Sequence, residues 1–334
     1  MSLSSGREEG CVIVNYKKIL SSSYFTQRFN HYAETVIKET GLSKSRLYFD
    51  FFLSHLISGC TIKDYFLYRF YEKNYFGKRY YATGKYLEKY LSKVNDPSRA
   101  SELKNKERTL ILFSEFMKRD WCGQNYQNTL EQYQQFSEKH TQGIVKPLEN
   151  CGGHGVRIIS TQEAGEGEVS LYEFCKSQHL LIEELIIQHE KMHELYPKAI
   201  NTIRYITLNA KPLGAVLRMG IGGSNIDNAS SGGMYAAIDL ESCTVQTPAF
   251  QYEGQRYQIH PDTNIIIPGF EIPMWKECEK FVKDACELIS GIPLIGWDIA
   301  ITPNGPTLVE VNEAPDLFLL QHPLQQGLRK ILEN

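Results

Sequence analysis

The chain's eight cysteines include no C-x-x-C pair, and no Cys/His cluster has the spacing of a zinc site. A structural zinc is therefore not expected, and reduced thiols are the simplest reading. Charge of one sign is also missing: 36 Lys and Arg face 39 Asp and Glu, a net −3. Such a balance gives no general electrostatic reason for nucleic-acid or membrane-surface binding, although a local basic pocket stays open. Long apolar runs are absent too. Segments such as 180–187 and 264–270 are too short or too interrupted to span a bilayer. The opening MSLSSGREEG is polar and carries acids, unlike a secretory signal. The expectation is a cytoplasmic protein with no membrane span and no nucleic-acid partner. No internal repeat or low-complexity tract is visible.

What is present suits an ordinary globular chain of about two domains, with 334 residues of which 42% are hydrophobic. Residues 1–100 are rich in Tyr, Phe and Lys. Helical spacing is visible over 24–39, 47–58 and 62–76, the last dense in aromatics that read as core rather than as a base-stacking platform. The polar stretch Leu91–Asn105 contains a proline and reads as a linker. Beyond it, helical patterns at 108–118 and 129–139 precede runs rich in Val, Ile and Thr. Strands are expected at 143–147, 155–160, 180–183, 202–208, 214–219, 295–301 and 307–312. An amphipathic helix over 274–289 places Cys278 and Cys286 on its apolar side, as core thiols. The fold class is α+β: a helical N-terminal region over 1–104, then two units at 105–187 and 188–334.

Residues 295–315, IGWDIAITPNGPTLVEVNEAP, carry the most chemistry. Two strand-like runs flank a Pro-Asn-Gly-Pro turn, the chemistry of a hairpin. Glu310 and Asn312, two apart, share a strand face. Asp298 and Glu310 lie equally far from Asn304, so an antiparallel pairing centred there sets them opposite each other. A two-residue Asn-Gly turn misses that register by one, so an odd-length loop or a bulge is expected. Two facing carboxylates repel. A divalent cation relieves that repulsion, and the hard oxygens of Asp298, Glu310 and Asn312 suit Mg²⁺. A solvent-facing acidic hairpin is the plainer reading, and the apolar Trp297, Ile299, Val309 and Val311 argue against it.

Residues 143–159, GIVKPLENCGGHGVRII, read as strand, glycine loop, strand. Gly152, Gly153 and Gly155 can bring backbone N–H groups close to an anion, and Lys146 supplies a point charge for phosphate. Neither a P-loop nor a Rossmann fingerprint matches. A plain hairpin turn fits these glycines as well, and a second glycine stretch, Gly220–Ser224, competes for the same role. The run LLIEELII at 180–187 is a buried strand that could also line a flat base.

Taken in order, the lysine strand, glycine loop, E-E-L-I hinge, N-T-x-R strand, R-x-G strand, W-D and E-V-N form a pattern that resembles the ATP-grasp superfamily. In that fold two α+β lobes clamp ATP between antiparallel sheets. GCTIKDYFLYRFY at 59–71 and KRYYATGKYL at 78–87 narrow the resemblance to the sugar-transfer-associated group. The resemblance implies ATP and Mg²⁺ as cofactors. Lys146 would contact the phosphates beneath a mobile loop of Gly152, Gly153, His154 and Gly155, with Lys106 as the candidate first ATP-binding lysine. Glu183, Glu184, Leu185 and Ile186 would line the adenine hinge. Asp298, Glu310 and Asn312 would hold the metal. Arg218 would face the transferred γ-phosphate or an acyl-phosphate intermediate, with Asn201 and Arg204 on the phosphate or acceptor side. A Tyr-rich helical region replaces the domain that usually precedes such a core, and nothing near Cys151 in sequence activates it.

The expected activity is ATP-dependent ligation of a carboxylate to an amine through an acyl phosphate, on a small-molecule or sugar-linked substrate of polysaccharide or sugar-conjugate modification. The alternatives are a small-molecule kinase built on the same sites and a nucleotide-binding module without turnover. Asp298→Asn and Glu310→Gln are each expected to abolish turnover and leave the fold intact, because each removes charge rather than volume.

Overall fold

The computed structural model describes residues 23–148, 155–162, 170–225 and 227–333, without the side chain of Tyr24. Contacts divide the chain into two compact units, parted between Arg79 and Tyr80.

In the first unit, α1 (Ser23–Thr40), α2 (Lys44–Ser58), α3 (Ile62–Leu67) and α4 (Tyr75–Arg79) surround an aromatic core. Ser43 caps α2 by accepting from the Arg46 amide, and Gly59 ends it in the left-handed region at φ 67°. Thr61 and Asp64 form a reciprocal capping box on α3. Phe29 meets Phe51 and Phe66 edge-on with ring centroids 5.8 and 5.1 Å apart. The aromatic stripe is therefore core, as its helical spacing implies. The expected helix over 62–76 breaks at Arg69, whose backbone turns left-handed at φ 53°.

The second unit begins with α5 (Gly84–Val94) and α6 (Pro97–Lys104), where the sequence suggested a linker. The proline that reads as a breaker is a helix start. Asp96 accepts from the amides of Ser98 and Arg99, and Pro97 occupies the first helical turn, where its missing N–H costs nothing. The Asp96 amide donates to Gly291 O at 2.8 Å, and Asn95 Nδ2 donates to Glu313 O at 3.0 Å, which ties these helices to the unit's C-terminal part. The contacts thus divide the chain before the expected boundary at 104.

Next come α7 (Lys106–Leu112), α8 (Ser114–Met117), β1 (Trp121–Cys122), α9 (Leu130–Lys139), β2 (Gln142–Pro147), β3 (Arg157–Ser160), α10 (Leu171–Ser177) and β4 (Leu180–Glu183). Their four strands form an antiparallel sheet in the order β1-β4-β2-β3. After α11 (Glu190–Leu195), a larger antiparallel sheet gathers β5 (Thr202–Leu208), β6 (Lys211–Met219), β7 (Met234–Asp239), β9 (Ala249–Phe250), β10 (Arg256–Tyr257), β11 (Leu294–Thr302) and β12 (Gly305–Asn312), with β8 (Thr244–Val245) paired to β7. Its order is β10-β9-β7-β6-β5-β11-β12.

Helix α12 (Trp275–Cys286) lays Cys278, Val282 and Ala285 into the core under this sheet, so Cys278 and Cys286 are buried thiols. Burial raises both, Cys278 to about 12, as expected of packing groups rather than nucleophiles. Trp297 is fully buried and donates its indole N–H to Thr207 Oγ1 at 3.0 Å.

If 97–104 is a capped helix and not a linker, Asp96→Ala should lower unfolding stability by about 1 kcal/mol. Urea denaturation measures this, and an unchanged midpoint would restore the linker reading.

Candidate active site

The hairpin of β11 and β12 turns through Pro303 and Asn304, with Thr302 paired to Gly305. That two-residue loop alone would leave Asp298 opposite Val309. A bulge at Val309 shifts the register, so Asp298 pairs with Glu310 while Ile299 pairs with Leu308. The two carboxylates therefore face each other across the strands. Asn312 Nδ2 lies 3.5 Å from Asp298 Oδ2, so the three oxygen-bearing side chains share one patch.

Asp298 is 1% exposed and is held by two guanidinium groups. Arg204, opposite it on β5, grips both carboxylate oxygens, Nη2 to Oδ2 at 2.8 Å. Arg218, on β6, reaches Oδ2 at 3.2 Å. Burial pushes the Asp298 carboxyl up, but Arg204 and then Arg218 outweigh it and hold the group below its usual range. Glu310 behaves oppositely. It is exposed by surface area, yet protein crowds it from most sides. That desolvation, followed by the Asp298 charge, raises its carboxyl, and Arg204, Lys146 and Arg218 offset only part of the rise. Negative charge at Glu310 is thus only partly compensated, which is what a divalent cation would relieve. Asp298, Glu310 and the Asn312 amide oxygen fit that role as hard donors.

Two glycines make room for this arrangement. A Cβ on Gly296 would sit 3.0 Å from Arg204 Cδ, so the glycine lets Arg204 lie across β11 toward Asp298. A Cβ on Gly233 would sit 2.2 Å from Asp227 O, so it admits the loop that brings Asp227 to Arg218. Asp227 accepts from Arg218 Nη2 at 3.3 Å and from the Thr202 hydroxyl, and Arg218 Nε donates to Thr202 Oγ1 at 3.0 Å. Arg218 is held on three sides. Asp227 follows the second glycine stretch, and an acid beside such a loop is the signal that sequence reading passed over.

The smaller sheet contributes a second charge cluster. Glu183, at the end of β4, accepts from Lys146 Nζ at 2.7 Å and Arg119 Nε at 2.5 Å. Arg119 also donates to Leu308 O at 2.5 Å and reaches Val309 O at 3.5 Å, joining the two sheets at the bulge. No local pattern marks Arg119, because both partners are remote in sequence. Burial would raise Glu183, but Arg119 and Lys146 overcome it and bring the carboxyl down to about 2. Since Lys146 also acts on the Glu310 charge, both sheets aim charge at one region.

Lys106 Nζ donates to Pro147 O at 2.9 Å and Leu148 O at 3.1 Å, holding the end of the Lys146 strand. Gly155 adopts φ 79°, a conformation suited to glycine, while Cys151, Gly152, Gly153 and His154 lie outside the described residues. Glu184, Leu185 and Ile186 follow β4 as partly buried coil. Glu184 anchors that coil: its amide donates to Asp120 O at 2.9 Å, and its carboxylate accepts from the Asp120 amide at 3.1 Å.

Asn201 does not join the charged groups. It is fully buried, and its Nδ2 faces Gln188 Oε1, Met192 O and Tyr196 O at 2.7–2.9 Å, so it ties α11 to β5. Its β-sheet neighbours alternate toward the site; it precedes the strand and turns inward. The expectation for Asp298→Asn also changes. Neutralising Asp298 would leave the buried Arg204 guanidinium without its carboxylate partner, a loss of several kcal/mol, so only Glu310→Gln removes charge without cost to the fold.

Asp120, His140 and Glu184 form another group with metal-ligand spacing among the described residues. There the Lys139 ammonium and His140 Nε2 already meet Asp120 Oδ2, and they lower its carboxyl, so positive charge is in place.

The family model described as sugar-transfer associated ATP-grasp matches residues 86–334. Among solved structures, the ATP-grasp ligase PsnB with its minimal precursor aligns at 14% identity over 72% of this chain and 62% of that one, with a TM-score of 0.45. D-alanine–D-alanine ligase from Bacillus anthracis aligns at 14% identity over 75% and 77%, with a TM-score of 0.41. D-cycloserine synthetase DcsG aligns at 11% identity over 74% and 77%, with a TM-score of 0.41. The chain spans 62% and 60% of the length of the two PsnB structures it matches. No curated protein matches it.

The depressed Glu183 carboxyl yields a pH test. A folded-state value of about 2 against about 4.3 unfolded means its stabilisation is complete above the unfolded value and is lost as pH falls toward 2. Glu183→Gln should lower Tm markedly at pH 7, and the gap to wild type should close between about pH 4.5 and 2. A pH-independent gap in thermal melts would contradict the ion-pair assignment.

Proposed function

The chain belongs to the sugar-transfer associated ATP-grasp family, and from that premise we propose that it is an ADP-forming, Mg²⁺-dependent ligase joining a carboxylate to an amine. The observation that supports this reading best is the convergence of Asp298 and Glu310 from one hairpin with Arg204, Arg218 and Lys146 from three other strands. Such a set can neutralise a polyphosphate and hold it in place, which is most of what phosphoryl transfer asks of a protein.

In this proposal Asp298, Glu310 and Asn312 would hold a Mg²⁺, which would supply positive charge against the nucleotide phosphates. Lys146, kept in line by Glu183, contacts the phosphates as a second cation, and Lys106 supports it by fixing the end of its strand. The segment Glu183–Ile186 lines the adenine, and the loop containing Gly152, Gly153, His154 and Gly155 covers the phosphates. Arg218, held by Thr202 and Asp227, faces the transferring phosphoryl group. Arg204 serves as a positioning residue, since Asp298 claims its guanidinium.

A substrate carboxylate oxygen attacks the γ-phosphorus and ADP leaves. The amine nitrogen then attacks the acyl carbon, the acyl C–O bond to phosphate breaks, and the amine gives up a proton. Positioning and charge neutralisation carry the rate, and no covalent nucleophile of the protein is required. The lobes of the site are residues 105–187 and 188–334. The family's description suggests a small-molecule or sugar-linked substrate, and polysaccharide or sugar-conjugate modification in the cytoplasm as the setting. Among the described residues no helix is long and apolar enough to cross a membrane.

ATP-dependent hydroxamate formation in hydroxylamine, screened over amino acids and acidic or amino sugars, tests the reaction class. A hydroxamate supports ligation, whereas ADP release with a phosphorylated hydroxyl product would make the chain a kinase instead. Glu310→Gln should lower turnover by about 100-fold or more while Tm holds or rises. Turnover equal to wild type would remove Glu310 from the metal set.

A further inference from the structure

The first unit contains a cavity of about 280 Å³ that shares no residue with the site described above. Its walls come from the start of α2, with Leu42 before it, and from residues 71–74 beyond α3. The left-handed backbone at Arg69 ends the helical run and brings Phe70–Glu72 against α2. Two bonds hold that turn. Arg69 Nη2 donates to Glu72 Oε1 at 2.5 Å, and Lys73 Nζ donates to Tyr68 O at 2.6 Å.

Asp50 is the fixed point of the cavity. Lys78, with a side chain only 7% exposed, donates to both Asp50 oxygens at 2.6 and 2.8 Å and to Ser54 Oγ at 2.9 Å. The buried Tyr65 hydroxyl donates to Asp50 Oδ2 at 2.9 Å. A buried ammonium–carboxylate pair is a poor way to stabilise a fold, because apolar side chains of similar volume serve as well. It is a good way to hold an acceptor rigid. The Asp50 side chain keeps 34% of its surface open, and a carboxylate has about four acceptor positions. Lys78 and Tyr65 fill three of them, and one is left for a ligand.

The chemistry of the walls decides what kind of ligand fits. Arg46 and Lys73 offer donors, Asp50 and Glu72 offer acceptors, and Asn74 offers both. A bare cation would meet the two basic groups, and an inorganic anion would meet the two acids. An apolar molecule would strip water from all of them. A polyhydroxylated ring suits every wall, since each hydroxyl both donates and accepts. Its C–H surfaces match Leu42, Leu47 and the half-buried Tyr71. Charge pairing narrows the class further. Lys78 matches Asp50 and Arg69 matches Glu72, whereas among the described residues no acid pairs with Arg46. A guanidinium in that position is suited to a carboxylate on the ligand.

We propose that this cavity binds a monosaccharide bearing a carboxylate, a sugar of the uronic-acid class. Arg46 takes the carboxylate, Asp50 accepts from one ring hydroxyl, and Glu72 and Asn74 meet the others. The first unit is then a sugar-recognition module in its own right. It lies outside the matched residues 86–334, and its binding does not depend on the ATP-dependent reaction proposed for the rest of the chain.

The test is saturation-transfer NMR and calorimetric titration of the full chain, without nucleotide, against glucuronate, galacturonate and mannuronate. Glucose, glutamate and inorganic phosphate serve as controls. At least one uronate should bind saturably, about tenfold or more tighter than any control. R46Q alters an exposed position whose guanidinium meets no acid, so it should keep the circular dichroism spectrum and melting temperature of wild type. It should bring uronate affinity down to that of glucose, and R46E should abolish uronate binding. Failure of all three uronates to bind wild type overturns the proposal, as does uronate binding that both variants leave unchanged. Glutamate or phosphate binding as tightly as the uronates, and lost in R46Q, would also overturn it and make the cavity a plain anion site.

Discussion

Everything at the site depends on how Asp298 is kept ionised in a place where water cannot reach it. A lone buried carboxylate would be neutralised by its own desolvation. Here Arg204 and Arg218, brought alongside by the pairing of β5 with β11 and β6, supply more positive charge than Asp298 consumes. Asp227 then balances Arg218, and Glu310 is left as the acid with the least compensation. The hairpin is therefore a poised site: its buried acid is satisfied, while its accessible acid still wants a cation.

The second sheet repeats the logic with opposite sign. Glu183 is surrounded by Arg119 and Lys146, so that cluster holds a surplus of positive charge. Arg119 is also the mechanical link, since its guanidinium spans from Glu183 to the carbonyls of Leu308 and Val309. The bulge that aligns Asp298 with Glu310 is thus also where the sheets are joined. A poorly compensated acid, Glu310, and a cluster with surplus positive charge, that of Lys146 and Arg119, face a common region, the combination that the proposed Mg²⁺-nucleotide would match.

Much of this was legible in the sequence wherever the signal was local. The register of Asp298 with Glu310, and the need for either an odd-length loop or a bulge, follow from counting residues about the turn. The strand runs N-T-x-R and E-V-N show their alternation directly. Three features were not legible, each for a physical reason. Asp96-Pro97 reads as a break because a helix start and a chain break use the same residues, and only the amides of Ser98 and Arg99 reveal the cap. Strand β7 pairs Ala236 and Ala237 with buried neighbours, and small side chains give too little hydrophobic contrast for an alternating pattern. The partnerships of Arg119 and of Asp227 with Arg218 arise only when distant segments meet. The surroundings of Asn201 were not legible for a related reason: its position next to the strand is evident in sequence, but its inward turn toward Gln188 is not.

Calorimetric titration of the chain with a slowly hydrolysed ATP analogue, with Mg²⁺ and again with chelator, tests the central claim most directly. The account requires one nucleotide per chain in the presence of Mg²⁺ and an affinity at least tenfold weaker without the metal. Equal affinity under both conditions, or no nucleotide binding at all, would contradict it.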